Sequence, residues 1–140
     1  PYTYFFLIYD KSDFATEEAL LNRMRNDIRN FINSSMPSFS GFDDIIVYYD
    51  EGQKAIAKLL KTIFKSTFSA YAKFRHITQK DYRLAQAADF ICTIETIAYK
   101  WETGKITKSE ERFFKRKSLF KKSYCNQIRR HRIKNNFEWN

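Results

Sequence analysis

The chain has 140 residues, 44% hydrophobic and 18% aromatic, with a formal net charge of +9. That is enough apolar material for a globular core, which argues against disorder, and no apolar run approaches the roughly 20 residues that cross a bilayer. Cys92 and Cys125 lack a CxxC spacing and His76 and His131 do not complete a zinc set with them, which argues against both a disulfide framework and a zinc site.

In chain order, residues 2–9 are apolar and aromatic apart from Thr3, the pattern of a strand covered on both faces. This run lacks the charged flank and cleavage pattern of a signal peptide, so a cytoplasmic location is expected. The chain begins at Pro1 without an initiator Met and reads as a processed or truncated product. Residues 10–13 break the run. Thr16 followed by Glu17 and Glu18 is a helix start, a hydroxyl cap with acids in the positive first turn. Leu20, Leu21, Met24, Ile28, Phe31 and Ile32 carry that helix to about residue 33. Residues 34–41, with Pro37 and Gly41, read as a loop.

A second strand over 44–49 leads into a helix over about 53–68, striped by Ile56, Leu59, Leu60, Ile63, Phe64 and Phe68. An extended stretch follows over 72–77, and then a third helix with Leu84, Ala88, Ile91, Ile94, Ala98 and Trp101 on one face. Strands alternating with helices predict α/β layers with right-handed crossovers.

Charge is uneven. Residues 105–134 hold twelve Lys/Arg against Glu110 and Glu111, a net of +10, which leaves the rest of the chain at −1. Phe113, Phe114, Leu119, Phe120, Tyr124 and Ile128 interleave with these cations at near-helical spacing. Residues 105–140 are therefore read as a basic helical extension packed on an α/β domain of residues 1–104. Lys115, Arg116, Lys117, Lys121, Lys122, Arg129, Arg130 and Arg132 are its candidates for contact with a phosphate backbone. The expected partner is RNA or DNA rather than a membrane, although a solvated face or a membrane-surface helix has the same composition.

Two carboxylates interrupt apolar surroundings. Asp50 ends the run 44–49, and Asp89 sits in the otherwise uncharged run 84–92. A carboxylate alone in such a setting is costly, so the two together read as half of a site for Mg²⁺ or Mn²⁺, which take oxygen ligands and leave positions open for phosphate. Glu51 is an accessory candidate, although it leaves the opposite face of the strand from Asp50. Simpler roles exist: Asp50 and Glu51 as caps of the following helix, and Asp89 as a surface acid beside Ala85 and Cys92. Asp43 and Asp44 read as turn and strand-entry residues, and Asp81 with Thr78 as a helix start. Glu95 lies too far round its helix to share an ion with Asp89, and His76 reads as packing before it reads as a base.

These segments resemble the bacterial and phage family called domain of unknown function 3800, placed in the RNase H-like superfamily. The resemblance rests on Tyr4-Phe5-Phe6-Leu7-Ile8-Tyr9-Asp10-Lys11, on the strand end Asp50-Glu51-Gly52, and on Gln86-Ala87-Ala88-Asp89-Phe90-Ile91, which is similar to the family's Gln-x-Ala-Asp-hydrophobic helix. It covers roughly residues 2–120. It implies a five-stranded RNase H-like sheet flanked by helices, with acids from the first strand, the fourth strand (Asp50) and the last helix (Asp89), and two-metal hydrolysis of phosphodiester bonds.

The family's first-strand acid has no counterpart here. A helix follows Asp10 at once where the superfamily has a hairpin, so residues 2–9 are assigned as the third strand and the chain as the C-terminal part of the domain. On that order, strands 2–9 and 44–49 stand about 14 Å apart, with the gap filled by an upstream segment or another chain. The leading expectation is a Mg²⁺- or Mn²⁺-dependent nuclease. The alternative is a non-catalytic nucleic-acid- or partner-binding module, such as a component of a phage-defence or mobile-element system. No base-reading motif separates RNA from DNA or a hybrid.

Overall fold

The computed structural model describes residues 2–49, 52–77 and 82–133. Contacts divide the chain into two units, Tyr9–Ala85 on one hand and Pro1–Ile8 with Gln86–Asn140 on the other. Both α-helices and β-strands are present, so the class is mixed α/β, with one parallel two-stranded sheet among the described residues.

In the unit Tyr9–Ala85, Asp10 caps a 3-10 turn, Lys11–Asp13, its carboxylate accepting from the Ser12 backbone N–H at 3.0 Å and the Ser12 hydroxyl at 2.6 Å. Helix α1 (Glu17–Ser34) starts at Thr16, whose hydroxyl accepts from the Ala19 N–H at 3.1 Å, and it buries Ile28 and Ile32. The expected loop over 34–41 contains a short helix instead, α2 (Met36–Phe39). Pro37 sits in its first turn, where a missing N–H leaves no intrahelical bond unmade.

Strand β1 (Ile45–Tyr49), helix α3 (Lys54–Phe68) and strand β2 (Ala72–His76) follow as a βαβ unit. The strands pair parallel, with Ile45 opposite Ala72 and Tyr49 opposite His76, as a helical crossover requires. Helix α3 packs against α1 and β2. It buries Ala57, Leu59 and Ile63, while Ile56, Leu60, Phe64 and Phe68 of its predicted stripe are half-buried.

The run 2–9, of which residues 2–8 belong to the other unit, is not the strand that its composition predicts. Tyr4 alone makes a bridge, to Arg132: its N–H donates to the His131 carbonyl at 3.0 Å, and its carbonyl accepts from the Ile133 N–H at 2.9 Å. The reason lies in the side chains. Tyr4 is buried in a cluster with Ile91, Ile94, Phe120, Cys125 and Ile128, and Phe6 packs on that cluster, so the segment covers helices rather than joining a sheet. The expected gap between a third and a fourth strand therefore has no counterpart among the described residues.

Helix α4 (Arg83–Glu102) buries Ile91, Ile94, Glu95, Ile97 and Ala98. Leu84 and Ala88, expected on the same stripe, are exposed. The helix start assigned to Thr78 and Asp81 lies outside the described residues. Among the described residues no helix is long and apolar enough to cross a membrane.

Candidate nucleic-acid interface

The basic segment is helical and well anchored. Helix α5 (Lys108–Phe114) opens with a capping box, in which the Thr107 hydroxyl accepts from the Glu110 N–H at 3.2 Å and the Glu110 carboxylate accepts from the Thr107 N–H at 2.9 Å. Glu110 is also ion-paired with Lys100 of α4, and that contact, ahead of the bonds to Thr107, pulls its carboxyl down to about 2. Lys115 closes the helix at φ 64°. Helix α6 (Lys117–Phe120), a π turn (Lys121–Cys125) and helix α7 (Asn126–Arg129) then run on continuously.

The π turn decides which side chains face in. A regular helix would bring residues 120, 124 and 128 to one face. One wider turn advances the register by a residue, so Phe120, Cys125 and Ile128 are buried while Tyr124 stays partly exposed. Burial pushes the Cys125 thiol up, as expected of a small core residue.

Of the eight cations expected at the interface, Lys115, Arg116, Lys117, Lys121, Lys122, Arg130 and Arg132 are exposed. Lys121 lies 4.0 Å from Glu102, and the Arg132 guanidinium stands 4.6 Å from the Phe6 ring centroid. Lys115, Arg116, Lys117, Lys122 and Arg130 make no ion pair among the described residues. Arg129 is different. Its Nη2 donates to Glu95 Oε2 at 2.8 Å and its Nε to Oε1 at 3.3 Å, and Glu95 is 2% exposed. The pairing raises the already high pKa of the guanidinium.

The spacing of Glu95 from Asp89 gives it no share in a metal site, yet among the described residues it is the buried carboxylate. It also accepts from the Tyr4 hydroxyl at 2.7 Å, so one side chain of α4 ties the N-terminal segment to α7. Burial, and then this bond, push the Tyr4 phenol well above its ordinary pKa. The signal was present in the sequence: Glu95 sits beside Ile94 and one turn from Ile91 and Ala98, a charge inside an apolar stripe. Such a charge needs a partner, and Arg129 is that partner.

The acids expected to hold metal are placed less fully. Asp89 is exposed on α4, and its charge adds to burial in raising the Cys92 thiol. Asp50 and Glu51 lie outside the described residues. Among the described residues no three or more His, Cys, Asp or Glu side chains cluster as metal ligands, so Asp89 alone does not make a site for Mg²⁺ or Mn²⁺. His76 ends β2 with its ring 6.1 Å from that of Tyr49. Asp44 pairs with Lys73 at 2.6 Å beside the start of β1, a strand-entry role.

No family model matches the chain, and no curated protein and no solved structure is significantly similar to it.

Proposed function

We propose that the chain binds nucleic acid through the phosphate backbone, without sequence preference, using the cations of residues 115–132. One observation carries this reading. A helical segment with a buried apolar side presents Lys115, Arg116, Lys117, Lys122 and Arg130 to solvent, and no carboxylate among the described residues pairs with them. Such a surface gains affinity by releasing counterions from the phosphates. Arg129 is not among the contacts, because Glu95 occupies it. The test is binding of a labelled oligonucleotide to the Lys115→Gln/Arg116→Gln/Lys117→Gln variant, which should bind more weakly and with a shallower salt dependence than the parent. An unchanged salt dependence rejects the assignment. The free thiols Cys92 and Cys125 accord with a reducing cytoplasmic setting.

The metal-dependent nuclease is the second reading, and the register of the sheet favours it. Tyr49 and His76 end their parallel strands side by side, at the carboxyl edge where ligands collect in open α/β sheets, and Asp50 follows Tyr49 in the chain. An RNase H-like fold is proposed on the same footing, with β1 and β2 as two of its strands and the others supplied by an upstream segment or another chain. The described residues do not by themselves fit a metal, so the reading rests on Asp50, Glu51 and Asp89 as the sequence offers them. Its test is divalent-dependent cleavage that both Asp50→Asn and Asp89→Asn abolish while the protein stays folded. Cleavage retained by both variants rejects it.

A further inference from the structure

Outside residues 105–134 the chain nets −1, but two of its stretches are opposite in charge. Residues 1–51 carry nine Asp/Glu against four Lys/Arg, whereas residues 52–77 carry six Lys/Arg and no acid. Four of the six, Lys54, Lys58, Lys61 and Lys65, lie at steps of four, three and four residues, so they form one line along α3. They line an open cleft of about 490 Å³ together with Tyr49, Ala57 and Thr62.

Stability of the helix does not account for this arrangement. Acids belong in a first turn, where α1 has Glu17 and Glu18 and α5 has Glu110 and Glu111; α3 has Lys54 and no acid there. Lysines one turn apart also lie well within a Debye length and repel. Among the described residues none of the four meets a carboxylate. Lys61 alone is held, its Nζ 4.3 Å from the Tyr49 ring centroid. Lys54, Lys58 and Lys65 are exposed.

The geometry points to a groove that tracks the sugar–phosphate backbone of a nucleic-acid strand. Lys65 lies eleven helical rises beyond Lys54, about 16 Å. A single phosphate group reaches at most two neighbouring lysines of such a line, whereas a strand carrying a charge on every nucleotide meets all four. The groove lies in the unit Tyr9–Ala85 and uses none of the residues 115–132, so it extends the nucleic-acid reading while standing on separate side chains.

The test uses the full chain and two probes, a labelled oligothymidylate and vesicles of phosphatidylserine with phosphatidylcholine. The variant Lys54→Gln/Lys58→Gln/Lys65→Gln spares the Lys61–Tyr49 contact. Each lost phosphate contact should lower the slope of log K against log salt by about 0.7 for a single strand, about 2 for the three, while the corresponding Arg variant keeps the parent slope. Thermal melting confirms folding; if the triple variant is unfolded, Lys54→Gln/Lys58→Gln replaces it. An unchanged slope, with the loss confined to the Lys115→Gln/Arg116→Gln/Lys117→Gln variant, overturns the groove and leaves the C-terminal surface standing. Loss in the α3 variant alone upholds the groove and removes the C-terminal assignment. Loss of vesicle binding with oligonucleotide binding intact overturns the groove as a nucleic-acid site, and a parent protein that binds no oligonucleotide overturns both.

Discussion

Removing either end of the Glu95–Arg129 pair should destabilise the protein, and the two ends should not be equal. Glu95 is 2% exposed, so the variant Arg129→Gln leaves a carboxylate in the core with only Tyr4 as a described hydrogen-bond partner. Orphaning a buried charge costs 3–5 kcal/mol as a rule, and about 3 kcal/mol is expected here. The Arg129 side chain is 35% exposed, so in Glu95→Gln the guanidinium rehydrates. The Gln amide also remains able to accept from Tyr4, which brings the expected cost to about 1–2 kcal/mol. Urea unfolding followed by circular dichroism reads both values. Equal costs for the two variants, or costs below about 0.5 kcal/mol for both, would refute the account of the pair.

Three further outcomes follow from the structure. Ile94, 1% exposed, should cost about 2–5 kcal/mol when replaced by Ala, measured by urea unfolding, because its site in the helical core cannot collapse fully. Glu110 has a folded pKa lowered to about 2 against about 4.3 unfolded, so its contribution is complete above the unfolded value and disappears as pH falls through the folded one. The stability difference between the parent and Glu110→Gln should accordingly narrow across that window in an acid titration; a widening gap contradicts the sign. Ser69 adopts φ 49° and ψ −122°, a region that favours glycine, so Ser69→Gly should gain about 1 kcal/mol in thermal or urea unfolding.

Local signals carried most of the helices. The Thr16 cap, the stripes of α1 and α3 and the short extended stretch at β2 are all where the residue pattern puts them, because capping and periodicity act within a few residues. Residues 2–9 differ from the expected strand because aromatic richness marks burial without saying against what. Pairing depends on partners far along the chain, and here the partner is a single bridge at Arg132. Of the candidate interface, the exposed cations were legible from composition, but the exception at Arg129 was not, since it depends on Glu95, 34 residues away. The lysine line of α3 does not show in the net charge outside residues 105–134, because the acids of residues 1–51 cancel it. The π turn that exchanges Tyr124 for Cys125 in the core left no residue pattern that marks it.

The most direct test of nucleic-acid binding by residues 115–132 is lysine acetylation read residue by residue by mass spectrometry, with and without an oligonucleotide, at low and at raised salt. The account predicts that Lys115, Lys117 and Lys122 become protected at about 50 mM salt and lose that protection by about 200 mM, while Lys100, already paired with Glu110, keeps its reactivity throughout. Equal labelling of Lys115, Lys117 and Lys122 with and without the oligonucleotide would contradict it.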